Sequence, residues 1–201
     1  MKKYLKWIIC FISLVIFILL GILVLTKNDI YLDSIFYNFI SKYISNNLTI
    51  IFKSLTNIAS TLIVILIVVF TFLFFKNKKY GIYMSLNLFI ITILQFVLKA
   101  IFSRTRPVDI NLIEEAGYSY PSGHSLTAMA LYGFIIYLIY TSKLNKKSKV
   151  IYITLFSSFI FIVGLSRIYL GVHFFTDVVG AFCFALAYLI IYITIIKDRL
   201  K

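Results

Sequence analysis

Six stretches of this chain run for 17 to 22 residues without a charged side chain: Trp7–Thr26, Ser54–Phe75, Tyr80–Leu98, Ser125–Ser142, Val150–Ser166 and Val178–Ile196. A helix needs roughly 20 apolar residues to cross about 30 Å of hydrocarbon. Inside lipid every backbone polar group must find its partner within the protein, which leaves helices or closed barrels. Composition supports the helical choice: 62% of the 201 residues are hydrophobic, against about 45–50% in soluble domains, and the mean hydropathy is +1.00. One buried core of this size cannot absorb that excess. The expectation is an all-α, polytopic membrane protein with six spans and a single domain over residues 1–201. The first stretch follows Met1-Lys2-Lys3 as a signal peptide would. It outruns an apolar region of roughly 7–15 residues, no A-x-A site follows it, and it reads as a retained helix.

The charge balance is lopsided, with 20 Lys and Arg against 7 Asp and Glu. Nucleic-acid binding would gather the bases on a soluble polar segment, and the sequence offers none. They flank the spans instead. Lys2, Lys3 and Lys6 precede the first; Lys76, Lys78 and Lys79 separate the second and third; Lys143, Lys146, Lys147 and Lys149 separate the fourth and fifth; Lys197, Arg199 and Lys201 follow the sixth. With six spans all these segments share one side, which the positive-inside rule makes the cytoplasm. Lys27, Lys42, Lys53, Lys99, Arg104, Arg106 and Arg167 fall outside or at outer helix ends. Both chain ends are therefore expected in the cytoplasm, in a plasma-membrane protein. Between the first two spans, Asp29–Ser45 places Ile35, Phe36, Phe39, Ile40, Tyr43 and Ile44 at helical spacing, with Asp33, Ser41, Lys42 and Ser45 largely opposite. This predicts either an interfacial helix on the outer leaflet or an ordinary packed loop helix. Cys10 and Cys183 sit in apolar stretches and suggest neither a disulfide nor a zinc site.

Three polar clusters interrupt this lipid-soluble pattern, each at an outer helix end. Lys99 to Arg106-Pro107 closes the third span, Pro121-Ser122-Gly123-His124 opens the fourth, and Ser166-Arg167, His173 and Asp177 join the fifth to the sixth. Each alone has a plain structural explanation: a snorkelling lysine, a proline-led helix start, a hydrogen bond at i,i+4 spacing. Together they hold both histidines of the chain, and the lysine distribution independently puts them on one side. Charges near hydrocarbon are costly and usually functional. Lys99, Arg106 and Arg167 suit a phosphoryl group, since arginine binds two oxygens at once and fixed cations stabilise the spread charge of the transition state. Ser122 and the Gly123 amide stand at a helix N-terminus, which favours an anion. His173 is the expected nucleophile, with Asp177 one turn on to hold one ring nitrogen as donor. His124 is the expected general acid, then base. Opposed protonation states of two histidines predict a bell-shaped pH profile. Magnesium would need carboxylates, and Asp177 is the only acid within the clusters, so no metal or other cofactor is expected. Asp109, Glu114 and Glu115, in the loop between Pro107 and Pro121, read as a solvated face.

The clusters, as Lys-x6-Arg-Pro, Pro-Ser-Gly-His and Ser-Arg-x5-His-x3-Asp, resemble the signature of the type 2 phosphatidic acid phosphatase superfamily, matched at Lys99, Arg106, Pro107, Pro121, Ser122, Gly123, His124, Ser166, Arg167, His173 and Asp177. The resemblance implies a phosphohistidine at His173, no metal requirement, and lipid phosphate or diphosphate substrates. The small six-span plan is similar to that of the bacterial phosphatidylglycerophosphatase B and undecaprenyl-diphosphate phosphatase group. Soluble haloperoxidases share the motifs but lack this hydrophobicity. An outward-facing site makes undecaprenyl diphosphate the leading expected substrate, beside phosphatidylglycerophosphate and phosphatidic acid. Expected partners are the lipid substrate and membrane lipids, not nucleic acid. A phosphotransferase using an acceptor other than water, or a non-enzymatic lipid transporter, are the rival readings.

Overall fold

The structure is a computed structural model that describes residues 3–26, 30–74, 78–108 and 110–200. Lys2, Lys27, Asp29, Phe75, Lys76, Asp109 and Lys201, named above, lie outside the described residues. In chain order the elements are α1 (Lys3–Thr26), α2 (Tyr31–Ser41), α3 (Asn46–Thr56), a 3-10 turn (Asn57–Ala59), α4 (Thr61–Phe74), α5 (Lys79–Phe102), α6 (Gly123–Thr141), α7 (Lys146–Tyr169) and α8 (Phe175–Ile196). No strand occurs among the described residues, and five helices there (α1, α5, α6, α7 and α8) are long and apolar enough to cross a membrane. Large apolar side chains on their outer surfaces are open to lipid, among them Phe11, Phe89, Phe161 and Ile195. The chain is a multi-pass membrane protein, all-α as its composition requires.

Helix ends follow local chemistry. Asn145 Oδ1 accepts from the Ser148 N–H at 2.9 Å and starts α7. The Asp177 carboxylate reaches back to the Phe174 N–H at 2.9 Å and starts α8. The α5 helix stops where Ser103 turns left-handed at φ 43, which releases Arg104 to Pro107 as non-helical chain. Inside the bundle α8 packs against α1 and α6, and α6 in turn packs against α5 and α7. The main core joins Met84, Leu88, Leu131, Phe134, Val163 and Leu189 from α5, α6, α7 and α8.

Two expectations need correction. The second apolar stretch is not one helix: it breaks at Asn57–Ser60, between α3 and α4. The 14 residues of α4 reach only roughly 21 Å. The local sequence Thr56-Asn57-Ile58-Ala59-Ser60-Thr61 is rich in residues that bond their own backbone and compete with helix. The Ser60 N–H closes on Asn57 O at 2.9 Å. The break serves the interior, because Thr56 Oγ1 accepts from Arg167 Nη1 at 2.9 Å. The α2 helix forms with Ile35 and Phe39 of its predicted apolar face outward, but Asp33 of the polar face turns inward. Asp33 and Ile40 are buried inward, while Tyr31, Leu32, Ile35, Phe39 and Tyr43 are exposed. Asp33 is 5% exposed, not part of a solvated face, because a buried arginine claims it.

Candidate active site

One cavity of about 570 Å³ gathers residues from all three polar clusters: Lys99 and Arg106 from the first, Gly123 and His124 from the second, His173 from the third. Lys99 stands in the last turn of α5 and donates from Nζ to Tyr118 O. Arg106 lies in the following loop. Its Nε donates to Gly117 O at 2.9 Å, Nη2 to Ala116 O at 3.0 Å and Nη1 to Val172 O at 2.9 Å, and Nη1 lies 3.1 Å from His173 Nε2. Carbonyl acceptors thus fix the guanidinium without neutralising it. Gly123 opens α6 against the Gln95 side chain: a Cβ there would meet Gln95 Nε2 at 2.6 Å and push the amide aside. His124 follows it in the first turn.

His173 is 2% exposed and lies in the turn between α7 and α8. Its Nδ1 is 3.4 Å from Asp177 Oδ2 and 3.3 Å from Ser119 Oγ. An ionised carboxylate only accepts, so Nδ1 carries the proton toward Asp177 and Nε2 holds the lone pair at the cavity. Burial pushes the His173 pKa down to about 4, against the opposing pull of Asp177. The ring is neutral at physiological pH, as a nucleophile must be. Gly171 shapes this turn: its φ is +68, and a Cβ would meet Ile110 O at 2.1 Å. Only glycine takes that conformation at little cost. The Leu112 N–H donates to Leu170 O at 2.9 Å and holds the long loop against the turn.

Arg167 and Ser122 stand behind this wall. Arg167 is 1% exposed; it pairs through Nη2 with Glu115 and through Nη1 with Thr56. Its Nε is buried without a hydrogen-bond partner among the described residues. The Ser122 side chain is wholly buried and its hydroxyl accepts from Ser125 Oγ at 3.0 Å. Glu115 corrects the expectation of a solvated loop: it lines the cavity. Burial alone would raise its pKa, but the charges of Arg167, His124 and Arg106 and the hydrogen bond from Arg167 together outweigh that and hold it below the usual carboxylate value.

Several residues here were not singled out for the site by the sequence. Ser119 donates to Asp177 Oδ2. Arg104 bonds Asp177 Oδ1 at 2.6 Å and Asp33 Oδ2 at 2.7 Å. Removing one partner of so buried a pair costs about 3–5 kcal/mol. The available signal was scarcity: with 7 acids against 20 bases, every acid outside the lysine-rich segments was a candidate counter-ion. Among the described residues no group of three or more His, Cys, Asp or Glu is arranged to hold a metal ion.

Comparison with known proteins is consistent with this geometry. The sequence model of the PAP2 superfamily matches residues 79–201, which hold every motif named above. Phosphatidylglycerophosphatase B of Bacillus subtilis (strain 168) is 37% identical over 131 residues, 64% of this chain and 64% of that protein. The chain thus aligns with less than two thirds of that relative's length. Among solved structures, a transmembrane PAP2 type phosphatidylglycerolphosphate phosphatase from Bacillus subtilis superposes with a TM-score of 0.85 at 26% identity, over 96% of this chain and 97% of that one. Aquifex aeolicus LpxE shares the fold, with a TM-score of 0.69 at 24% identity over 83% of this chain and 98% of that one.

Proposed function

The chain belongs to the PAP2 superfamily, and from that premise we propose that it is a lipid phosphatase working through His173. The observation that carries the reading is the placement of His173: one ring nitrogen toward Asp177, the other on a cavity lined by Lys99, Arg106 and His124. In this reading His173 Nε2 attacks phosphorus and the bond from phosphorus to the leaving oxygen breaks. His124 gives that oxygen its proton. A phosphohistidine forms, water attacks it, His124 takes the water's proton, and inorganic phosphate leaves. Lys99, Arg106 and Arg167 hold the phosphoryl oxygens, the Gly123 amide and Ser122 contribute the helix N-terminus, and Asp177 keeps the imidazole in its attacking tautomer. No step is assigned to a metal.

The relatives named for phosphatidylglycerophosphate make that lipid the leading substrate. Undecaprenyl diphosphate is the second reading, supported by the lysine distribution, which puts both termini in the cytoplasm and the cavity on the outer side. The test is phosphate release by the purified chain in detergent with EDTA, wild type against His173→Ala, on a panel of both lipids and phosphatidic acid. Release by wild type alone supports the reading, and the panel ranks the lipids. Equal release by both proteins removes His173 from the chemistry. No release by a folded wild type favours the transporter.

A further inference from the structure

The chemistry proposed above uses His173 and Asp177 but leaves the charged cluster behind them without a task. Arg104 Nη1 donates to Asp177 Oδ1 at 2.6 Å and to Thr176 Oγ1 at 2.8 Å, and its Nη2 donates to Asp33 Oδ2 at 2.7 Å. Asp33 also accepts from the Thr176 N–H at 2.8 Å and from the Thr176 hydroxyl at 2.9 Å. The Arg104 guanidinium lies over the Phe174 ring, 3.9 Å from its centroid. None of Asp33, Arg104, Thr176 and Asp177 is more than 9% exposed.

A guanidinium is a rigid planar fork. Holding Nη2 on Asp33 and the plane over Phe174 leaves Nη1 one direction, and that direction meets Asp177 Oδ1. The carboxylate is then fixed in rotation, with Oδ2 turned to Ser119, the Phe174 N–H and His173 Nδ1. Buried ion pairs contribute little net stability compared with well-packed apolar side chains, so folding alone does not account for this one. Its end point does: of the residues it touches, only Asp177 has an orientation on which the reaction depends. We propose that Arg104, held by Asp33 of α2, is a positioning residue that sets the rotation of Asp177 and through it the imidazole of His173. The α2 helix carries Tyr31, Leu32, Ile35 and Phe39 outward, so the pair also ties this surface helix to the reacting side chains. The inference rests on His173 being the nucleophile.

The experiment uses the full chain in detergent. It measures kcat and KM on phosphatidic acid in mixed micelles, inhibition by orthovanadate, and thermal unfolding. The variants are Arg104→Ala, Arg104→Lys, Asp33→Asn, Asp177→Asn and the double variants. Arg104→Ala is expected to lower kcat on the order of 100-fold, the cost of a small misplacement of reacting groups. Vanadate inhibition stays unchanged, because Arg104 does not line the cavity. Arg104→Lys recovers part of the rate, and Asp33→Asn loses less than Arg104→Ala. Arg104→Ala in the Asp177→Asn background costs little more than Asp177→Asn alone, since interactions acting through one group are not additive. Multiplying losses, or vanadate inhibition weakening in step with kcat, overturn the proposal. Should Arg104→Ala fail to fold, Asp33→Asn with Asp177→Asn forms the same cycle with the same two outcomes. Activity lost in His173→Ala together with additive Arg104 effects overturns this inference alone. Activity retained in His173→Ala overturns both.

Discussion

Two carboxylate–guanidinium pairs flank His173 and differ in what surrounds them. Asp177 and Arg104 are sealed: Asp177 is 0% exposed, and both its oxygens are bonded, Oδ1 to Arg104 and Oδ2 to Ser119 and the Phe174 N–H. In the second pair Glu115 lines the cavity and Arg167 stands behind it. The Glu115 side chain is 25% exposed, and Arg167 Nε has no partner among the described residues. The first pair is closed to any other ligand, so its part is to hold a geometry. Under the proposed function the second exchanges one anion for another, with a phosphoryl group bringing the charge and acceptors that Glu115 supplies in this structure. The proposed function thus assigns orientation and binding to separate arginines on either side of one imidazole.

The strongest way to break this contrast is to damage the sealed side. Asp177→Asn is expected to lower kcat by about 10³–10⁴-fold, as loss of an orienting carboxylate does in a triad, with KM little changed. A large rise in KM would mean that Asp177 binds substrate. In the second pair, Arg167→Gln is expected to cost about 10²–10³-fold in kcat, the range for one lost transition-state donor, and to weaken vanadate inhibition as well. Unaltered inhibition would place the phosphoryl group elsewhere. Acidity sharpens the contrast further. His173 is neutral down to about pH 4 because burial disfavours its cation. The acid limb of kcat/KM should therefore fall as the pH drops through about 4, and an acid limb near the ordinary imidazole value of about 6.5 would mean a solvated ring. The smallest effect belongs to Glu115→Gln. Removing the competing carboxylate should tighten phosphate and vanadate inhibition by about tenfold or less, on the scale of one screened, partly exposed ion pair. Weaker inhibition would make Glu115 a helper of the site and not a competitor for it.

Motif spacing made much of the site legible. Lys99, Arg106, Gly123, His124 and His173 were picked from sequence, and all of them line one cavity. What escaped was the support behind them. Asp33 is 144 residues from Asp177 in sequence, and its periodicity placed it on a polar surface. Burial reversed that because Arg104, freed by the end of α5, has to find a counter-charge inside the protein. Glu115 escaped for the same reason, as the partner of Arg167. The break at Asn57–Ser60 was hidden by apolar neighbours that read as one continuous span.

The membrane class, the helical architecture and the placement of the three polar clusters at helix ends were legible in the sequence alone. Lipid permits few structures for uncharged stretches of this length, and polar groups within them stand out. Which acid meets which base was decided only by the tertiary structure. Ion pairing acts over a few ångströms between elements that sequence leaves far apart, and the scarcity of acids makes every such meeting a property of the packed bundle.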